Sequence, residues 1–251
     1  MVQKLSVGST TLIGALERYA ERLELLEVSA EPKSLPPPRK LRQWRSSVPP
    51  EFTFSLVLPR DVAALTATSA SDPSLAPALE ASKALGGGWL LLRTPPSVAP
   101  SERSRRRMKE LVSKLKEPGA RIAWEMRGVW APEDAEAFAE ELDIVLVRDI
   151  AQFDAPPGPV VYTRLLTLGQ QARIGQGAIE RVAERLEDAG AEEAVVVVEG
   201  RGAPGVARRL RAELGLEERG GDGAAEDEEG EDEDEPVGED GDGDVEDEED
   251  E

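Results

Sequence analysis

The chain has 251 residues and a formal net charge of −21, but the charge is distributed unevenly. Residues 220–251 contain 20 Asp or Glu and no Lys or Arg, which leaves 31 acidic against 30 basic residues in 1–219. The sequence has neither His nor Cys. This excludes disulfides, cysteine nucleophiles and Fe–S clusters, and it removes the usual zinc ligands and the most common general base. We therefore expect a nearly neutral folded body with an acidic tail.

The two ends of the chain differ in kind. The tail, 220–251, is rich in Gly, Asp and Glu and has almost no apolar residue, so it cannot bury enough surface to order itself, and we expect it to be disordered. The first residues, MVQKLSVGST, lack the apolar core and the cleavage site of a signal peptide. No apolar stretch approaches the ~20 residues that span a bilayer. These features predict a cytoplasmic protein whose folded part is residues 1–219.

Short apolar runs in residues 1–219 predict eight strands. Two of these runs, LLL at 90–92 and VVVV at 195–198, are apolar on both faces, which is typical of a parallel sheet that is covered on both sides. The predicted strands are 4–7, 25–30, 52–58, 89–93, 121–126, 144–148, 160–165 and 194–198.

Apolar residues recur with a helical period between most of these strands. The clearest stripes contain Leu16 and Tyr19, Met108 and Leu111, Phe138 and Leu142, Ile179 and Val182, and Val206 and Leu210. The segment 36–45 allows one or two helical turns, the segment 73–85 predicts a fuller helix, and the residues after Asp149 predict a loop with at most one turn. Eight strands alternating with helices predict a single-domain (β/α)8 TIM-type barrel. A doubly wound open sheet is the alternative, but the count of eight repeats argues against it.

Several segments, in this order along the chain, resemble one known family. They are LERYAERLELLEVSAEP (16–32), WRSSVPPEFTFSLVLPR (44–60), WLLLRTPPSVAP (89–100), WEMRGVW (124–130), VYTRLL (161–166) and GVARRLRAEL (205–214). Together they resemble the YecE-like family, also called domain of unknown function 72 (DUF72). The resemblance implies a (β/α)8 barrel, in agreement with the strand count, and it carries no established reaction.

The chain also departs from the pattern of that family. It reads VGSTT at 7–11 where the family has a Gly-Thr-Ser-Gly-Trp-like turn, and Val57 where the family often has Lys. RLLT at 164–167 replaces an Arg-Leu-His-Gly pattern, and VEG at 198–200 replaces an ending in Phe-Asn-Asn. The positions that match are Glu27, Arg60, Glu125, Arg127, Asp149 and Arg164. These differences predict a divergent member in which part of the usual pocket is replaced.

Charged residues at the carboxyl ends of the predicted strands are the candidates for a functional site, because barrel chemistry lies at that end. These residues are Glu27, Glu31, Arg60, Arg93, Glu125, Arg127, Asp149, Arg164 and Glu199. Charges inside a barrel are costly unless they are paired or bind a ligand. In the first interpretation, Glu27 or Glu125 is a general acid–base group, and the ligand contacts are Arg60, Arg127, Asp149 and Arg164. In the second, the acids and arginines only neutralise one another.

A glycine-rich segment, GRGAPG at 200–205, follows the last predicted strand. It fits G-x-G-x-x-G, but no further strand follows, which excludes a dinucleotide-binding unit. In a barrel such a segment can bind phosphate at a helix N-terminus, with Gly200, Arg201 and Gly202 as the contacts. Ordinary turns are the alternative interpretation. Pro204 also removes one backbone donor.

Together these observations predict a barrel protein that binds a small anionic or phosphorylated ligand in a charged pocket, with no metal and no cofactor. If the protein is an enzyme, a metal-independent hydrolase-type activity is expected. The alternative is a non-catalytic descendant of the family that acts through protein contacts. Nucleic-acid processing is the least favoured function, because the body is nearly neutral, the tail repels polyanions, and no His is present to bind catalytic metals.

Overall fold

The computed structural model describes residues 1–116, 119–166, 174–200 and 202–217. Eight parallel strands form a closed barrel in chain order. They are β1 (Lys4–Ser9), β2 (Leu25–Ser29), β3 (Thr53–Val57), β4 (Gly88–Thr94), β5 (Ala120–Met126), β6 (Val145–Arg148), β7 (Val160–Leu165) and β8 (Glu193–Val198). Every predicted strand is present, with ends within two residues of the prediction. The predicted barrel is confirmed, and the alternative of an open sheet is wrong.

Helices lie between most of the strands and cover the outside of the barrel. They are α1 (Leu16–Arg22), α2 (Pro38–Ser46), α3 (Arg60–Ala63), α4 (Leu75–Ala84), α5 (Glu102–Leu115), α6 (Pro132–Leu142), α7 (Gln176–Asp188) and α8 (Ala203–Glu213), with a 3₁₀ turn at Ser69–Ser71. Pro132 and Pro204 lie in the first turns of α6 and α8, where the missing N–H costs no helical hydrogen bond. Residues 149–159 form a loop between β6 and β7, as the sequence predicted.

Apolar side chains form two layers, one between the sheet and the helices and one inside the barrel. The interior layer consists of Leu25, Trp89, Leu91, Ala123, Val147, Tyr162, Val195 and Val197. The rings of Trp89 and Tyr162 meet edge to face at 5.2 Å. A Cβ at Gly8 would lie 2.0 Å from the carbonyl oxygen of Leu25, so only glycine fits at this contact between β1 and β2. The barrel is therefore packed, and it has no open pore.

Inside the barrel, charged side chains take the place of apolar side chains two positions closer to the carboxyl ends of the strands. Successive side chains in a strand point to opposite faces, so the residue two positions after an interior residue also faces inward. On six strands that residue is charged: Glu27, Arg93, Glu125 and Arg164 lie within their strands, and Asp149 and Glu199 lie just beyond β6 and β8. The apolar interior thus ends in a charged layer at the carboxyl end of the barrel.

The described residues up to 217 belong to one compact unit. Among them, no helix is long and apolar enough to cross a membrane. The segment 220–251, which the sequence predicts to be a disordered tail, lies outside the described residues.

Candidate functional site

Arg164 on β7 is the centre of the charged layer, and its side chain is only 3% exposed. Its Nε and Nη2 donate to the two carboxylate oxygens of Glu27 on β2, at 3.1 and 2.9 Å. Its Nη1 donates to Glu125 on β5 at 2.8 Å, and Nη2 also lies 2.9 Å from Oε1 of Glu199. Arg93 on β4 donates from Nε to Glu125 at 2.7 Å. We call these five residues the Arg164 cluster.

The electrostatics of the cluster are set by burial and by the excess of acids. Burial raises the pKa of Glu27 above its ordinary value, even though the contact with Arg164 acts in the opposite direction. Burial alone would lower the pKa of Arg164, but the facing carboxylates of Glu27 and Glu125 raise it. Arg164 therefore remains a cation, and burial favours the protonated form of Glu27.

Tyr162 lies below the cluster in the barrel interior. Its hydroxyl is 2.8 Å from the hydroxyl of Ser55 on β3. Burial, together with the negative charge of Glu27, raises the pKa of Tyr162 well above its ordinary value. The tyrosine is therefore neutral and serves as a buried support beneath the charged layer.

A cleft of about 420 Å³ opens above the cluster, and two arginines form part of its outer rim. The side chain of Arg60 is 95% exposed, and its Nε lies 3.9 Å from Oε1 of Glu31. Arg127 is exposed just beyond β5, and it forms no ion pair with the carboxylates of the described residues. The rim therefore carries two arginines with one nearby carboxylate.

The structure brings several of the predicted site residues together. Glu27, Arg60, Arg127 and Arg164 all line this cleft. Glu125 lies behind it, where one carboxylate oxygen accepts from both Arg93 and Arg164. Glu125 therefore positions two arginines and is not itself among the residues that line the cleft.

Asp149, by contrast, does not line the cleft. Its Oδ1 accepts from the backbone N–H of Ala151 at 3.0 Å, and its Oδ2 accepts from Gln152 at 2.6 Å. This is the arrangement of an Asx turn, in which an aspartate organises the backbone that follows it. Asp149 therefore shapes the loop after β6.

The glycine-rich segment lies at a different cavity, of about 470 Å³, between β1, α1 and the start of α8. The carbonyl oxygen of Gly200 accepts from the hydroxyl of Ser9 at 2.9 Å. Gly202 caps the N-terminus of α8. Arg201 lies outside the described residues. The glycine-rich segment and the rim arginines therefore lie at separate cavities.

Among the described residues, no group of three or more His, Cys, Asp or Glu side chains is arranged to hold a metal ion. Glu27, Glu125 and Glu199 do converge, but they converge on the guanidinium of Arg164. A positive side chain in that position repels a divalent cation.

Some residues of the cleft received no role from the sequence. Arg93 and Glu199 were recognised only as charges at strand ends, and the structure makes both of them partners in the Arg164 cluster. Ser29 also lines the cleft and follows Glu27 by two positions, so strand alternation could have identified it. Thr10 lines the cleft from the turn after β1, where no periodic pattern indicates the direction of a side chain.

Comparisons with known proteins agree with this architecture. A family model described as "Protein of unknown function DUF72" matches residues 9–230. A solved DUF72 family protein from Enterococcus faecalis V583 is 17% identical, with a TM-score of 0.66 over 86% of this chain and 96% of that one. Another, from Thermotoga maritima MSB8, is 15% identical, with a TM-score of 0.61 over 84% of this chain and 99% of that one.

The same fold occurs in a D-psicose 3-epimerase from Clostridium cellulolyticum H10, which is 13% identical, with a TM-score of 0.55 over 84% of this chain and 97% of that one. At such low identities, the likeness to solved structures shows a shared fold only. No curated protein matches the sequence of this chain.

Proposed function

This chain belongs to the DUF72 family, as its sequence predicted, and we propose that its carboxyl-end cleft binds a small ligand through an anionic group. The observation that carries the proposal is the state of the rim arginines. Arg60 is almost fully exposed and only distantly paired, and Arg127 has no carboxylate partner among the described residues. Sugar epimerases share the fold, but that likeness assigns no substrate to this cleft.

The rim arginines, Arg60 and Arg127, suit an anion better than the Arg164 cluster does. All three nitrogens of the Arg164 guanidinium are directed at carboxylates, so this residue has little capacity for a ligand. The guanidinium groups of Arg60 and Arg127 keep most of their donors available, and planar guanidinium forks bind phosphate and carboxylate groups well. An anion bound at the rim would therefore meet two arginines and one carboxylate, Glu31.

Proton exchange with a bound ligand falls to Glu27 in this proposal. Glu27 lines the cleft, and burial raises its pKa, which is the property expected of a carboxyl group that acts as an acid or a base. Glu125 serves to hold Arg93 and Arg164 in place. The two acids that the sequence singled out thus have different roles.

Inorganic phosphate is the simplest probe of the rim. Millimolar phosphate is expected to raise the melting temperature of the full chain in a saturable way, because a ligand that binds only the folded state stabilises it by about 2.7 kcal/mol at 100 times its Kd. Isothermal titration calorimetry gives the Kd directly. We expect Arg127→Gln to abolish the saturable shift and Arg60→Gln to weaken it.

Arg106→Gln is the matched control, because Arg106 is exposed on α5 and does not line the cleft. It removes the same charge, and it should leave phosphate binding unchanged. A shift that rises linearly in all variants would be a general salt effect. The proposal is wrong if neither phosphate nor a panel of phosphorylated metabolites gives saturable binding, a result that would favour a fold kept for protein contacts.

A further inference from the structure

The two rim arginines flank the end of one strand. Arg60 follows β3 and Arg127 follows β5, and β4 lies between these two strands in the barrel. The residues that directly follow β4 are Pro95 and Pro96, and both of them line the cleft. An anion that contacts both arginines therefore lies above the end of β4, next to this pair of prolines.

The two prolines form one side of the cleft together with Val57, and we call these three residues the apolar wall. Val57 is the last residue of β3, and it packs against the apolar interior layer of the barrel. Pro95 and Pro96 have rings in place of backbone N–H donors. The apolar wall therefore presents carbon atoms to a ligand, and its two prolines donate no backbone hydrogen bond.

The loop that carries Arg127 is fixed beside the apolar wall. Nε1 of Trp130 donates to the carbonyl oxygen of Val98 at 3.0 Å. A Cβ at Gly128 would lie 2.8 Å from the same oxygen and 3.2 Å from the carbonyl oxygen of Pro96, so a larger residue does not fit at this contact between the two loops. Because Gly128 directly follows Arg127, backbone packing sets where Arg127 lies relative to Pro96.

Two of the polar side chains that line the cleft are already engaged. The three guanidinium nitrogens of Arg164 are directed at carboxylates. The hydroxyl of Ser29 on β2 accepts from the backbone N–H of Glu31 at 3.2 Å and from the hydroxyl of Ser34 at 3.1 Å. Hydroxyl groups of a ligand would have to compete with these contacts, whereas an apolar group competes with none of them.

We propose that the ligand is an organic anion whose charged group lies between Arg60 and Arg127 and whose apolar group packs on the apolar wall. This inference rests on the proposed function, and it adds the chemical class of the ligand. Burial of about 60 Å² of apolar surface accounts for roughly a tenfold gain in affinity. An apolar ring attached directly to the anionic group supplies such an area without the loss of rotational freedom that a flexible chain incurs.

The test compares phosphate monoesters that carry the same anionic group, namely methyl, phenyl and cyclohexyl phosphate and glucose 1-phosphate. Kd values are measured at pH 7 by isothermal titration calorimetry with the full chain. We expect phenyl and cyclohexyl phosphate to bind at least about tenfold more tightly than methyl phosphate. Glucose 1-phosphate has a ring of similar size that bears hydroxyl groups, and it should bind much like methyl phosphate. Titrations at several temperatures should give a more negative heat-capacity change for phenyl than for methyl phosphate, because apolar burial has this signature.

Substitutions separate the apolar wall from the rim. Val57→Thr replaces a methyl group with a hydroxyl, and Pro96→Ser removes an apolar ring. Each is expected to lower the ratio between the Kd values of methyl and phenyl phosphate by at least about threefold, because less apolar surface is buried. Arg127→Gln should weaken all probes by a similar factor and keep the ratio. Pro50→Ser, exposed in the turn before β3 and remote from the cleft, is the matched control and should change neither quantity.

The outcomes distinguish the inference from the proposed function. If inorganic phosphate and all of the monoesters fail to bind, both are wrong. If the monoesters bind with equal Kd, or if glucose 1-phosphate binds most tightly, the inference is overturned while anion binding at the rim stands. A preference for phenyl phosphate that survives unchanged in both Val57→Thr and Pro96→Ser also overturns it. Thermal unfolding checks that each variant is folded, and the probe series in the unmodified protein tests the inference even where a variant is not.

Discussion

The two ends of the barrel hold their charged residues in different arrangements. At the amino end, Glu193 accepts from Lys4 at 3.1 Å and from Arg121 at 2.8 Å, and the guanidinium of Arg121 lies 4.0 Å from the ring centre of Trp89. One acid therefore has two cations. In the Arg164 cluster at the carboxyl end, the carboxylates of Glu27, Glu125 and Glu199 contact the guanidiniums of Arg93 and Arg164.

The pKa values of Glu193 and Glu27 shift in opposite directions, and the main reason is that Glu27 is more deeply buried. Burial alone would raise the pKa of Glu193, but hydrogen bonds from Lys4 and Arg121 hold it below its ordinary value. Burial prevails at Glu27, whose pKa is raised. At the amino end one carboxylate is thus held by two cations, and at the carboxyl end several carboxylates are packed around the buried guanidinium of Arg164.

The largest expected effect is that of Arg164→Met. It removes the central cation and leaves buried carboxylates facing one another, which typically costs about 3–5 kcal/mol. At the amino end, Arg121→Met removes a half-exposed partner of Glu193, and we expect it to cost within about 1 kcal/mol. Urea unfolding followed by circular dichroism gives both free energies. Similar losses in the two variants would contradict the difference between the two ends.

A smaller effect, with a defined pH dependence, is expected for Glu27→Gln. Folding raises the pKa of Glu27, so the folded state binds the carboxyl proton more firmly than the unfolded chain does. The wild type therefore loses stability as the pH rises above the ordinary pKa of 4.5. The variant does not titrate there. We therefore expect the stability of the variant relative to the wild type to rise from pH 4.5 to pH 7, on top of a pH-independent loss from the broken contacts to Arg164. A variant that is least stable relative to the wild type at pH 7 would refute this.

For Glu193→Gln at the amino end, we expect the opposite dependence of relative stability on pH. The pKa of Glu193 is lowered by folding, so its contribution is present above the ordinary value of 4.5 and is lost as pH falls. The variant should melt below the wild type at pH 7, and the gap should close on acidification. Melting curves of both glutamine variants across the same pH series test the comparison. The two ends would not differ in this way if the melting temperature relative to the wild type changed with pH in the same direction in both variants.

The smallest effect is expected for Asp149→Ala. Asp149 lies after a strand at the carboxyl end, yet its carboxylate organises the loop after β6 and does not line the cleft. The loss of its turn hydrogen bonds should cost about 1 kcal/mol in urea unfolding. The Kd for phosphate should remain unchanged, and a weakened Kd would mean that Asp149 belongs to the binding site.

The sequence by itself determined the barrel and the position of most of the charged layer. Runs such as VVVV at 195–198 are apolar on both faces, as a strand must be when it packs against a barrel interior on one side and helices on the other. Strand alternation is equally local, so Glu125 and Arg127 could be assigned to one face of β5 before any contact was known. These features depend on neighbours in the chain, which a sequence displays directly.

Only the tertiary structure decided which charges meet. Arg164 and Glu27 are 137 residues apart and lie on strands that are not adjacent, so closure of the barrel brings them into contact. The same closure leaves Arg60 and Arg127 at the rim and directs Gly200 towards a separate cavity. Whether a carboxylate faces a ligand, a guanidinium or its own loop, as Asp149 does, depends on distances across the barrel that no local pattern of residues encodes.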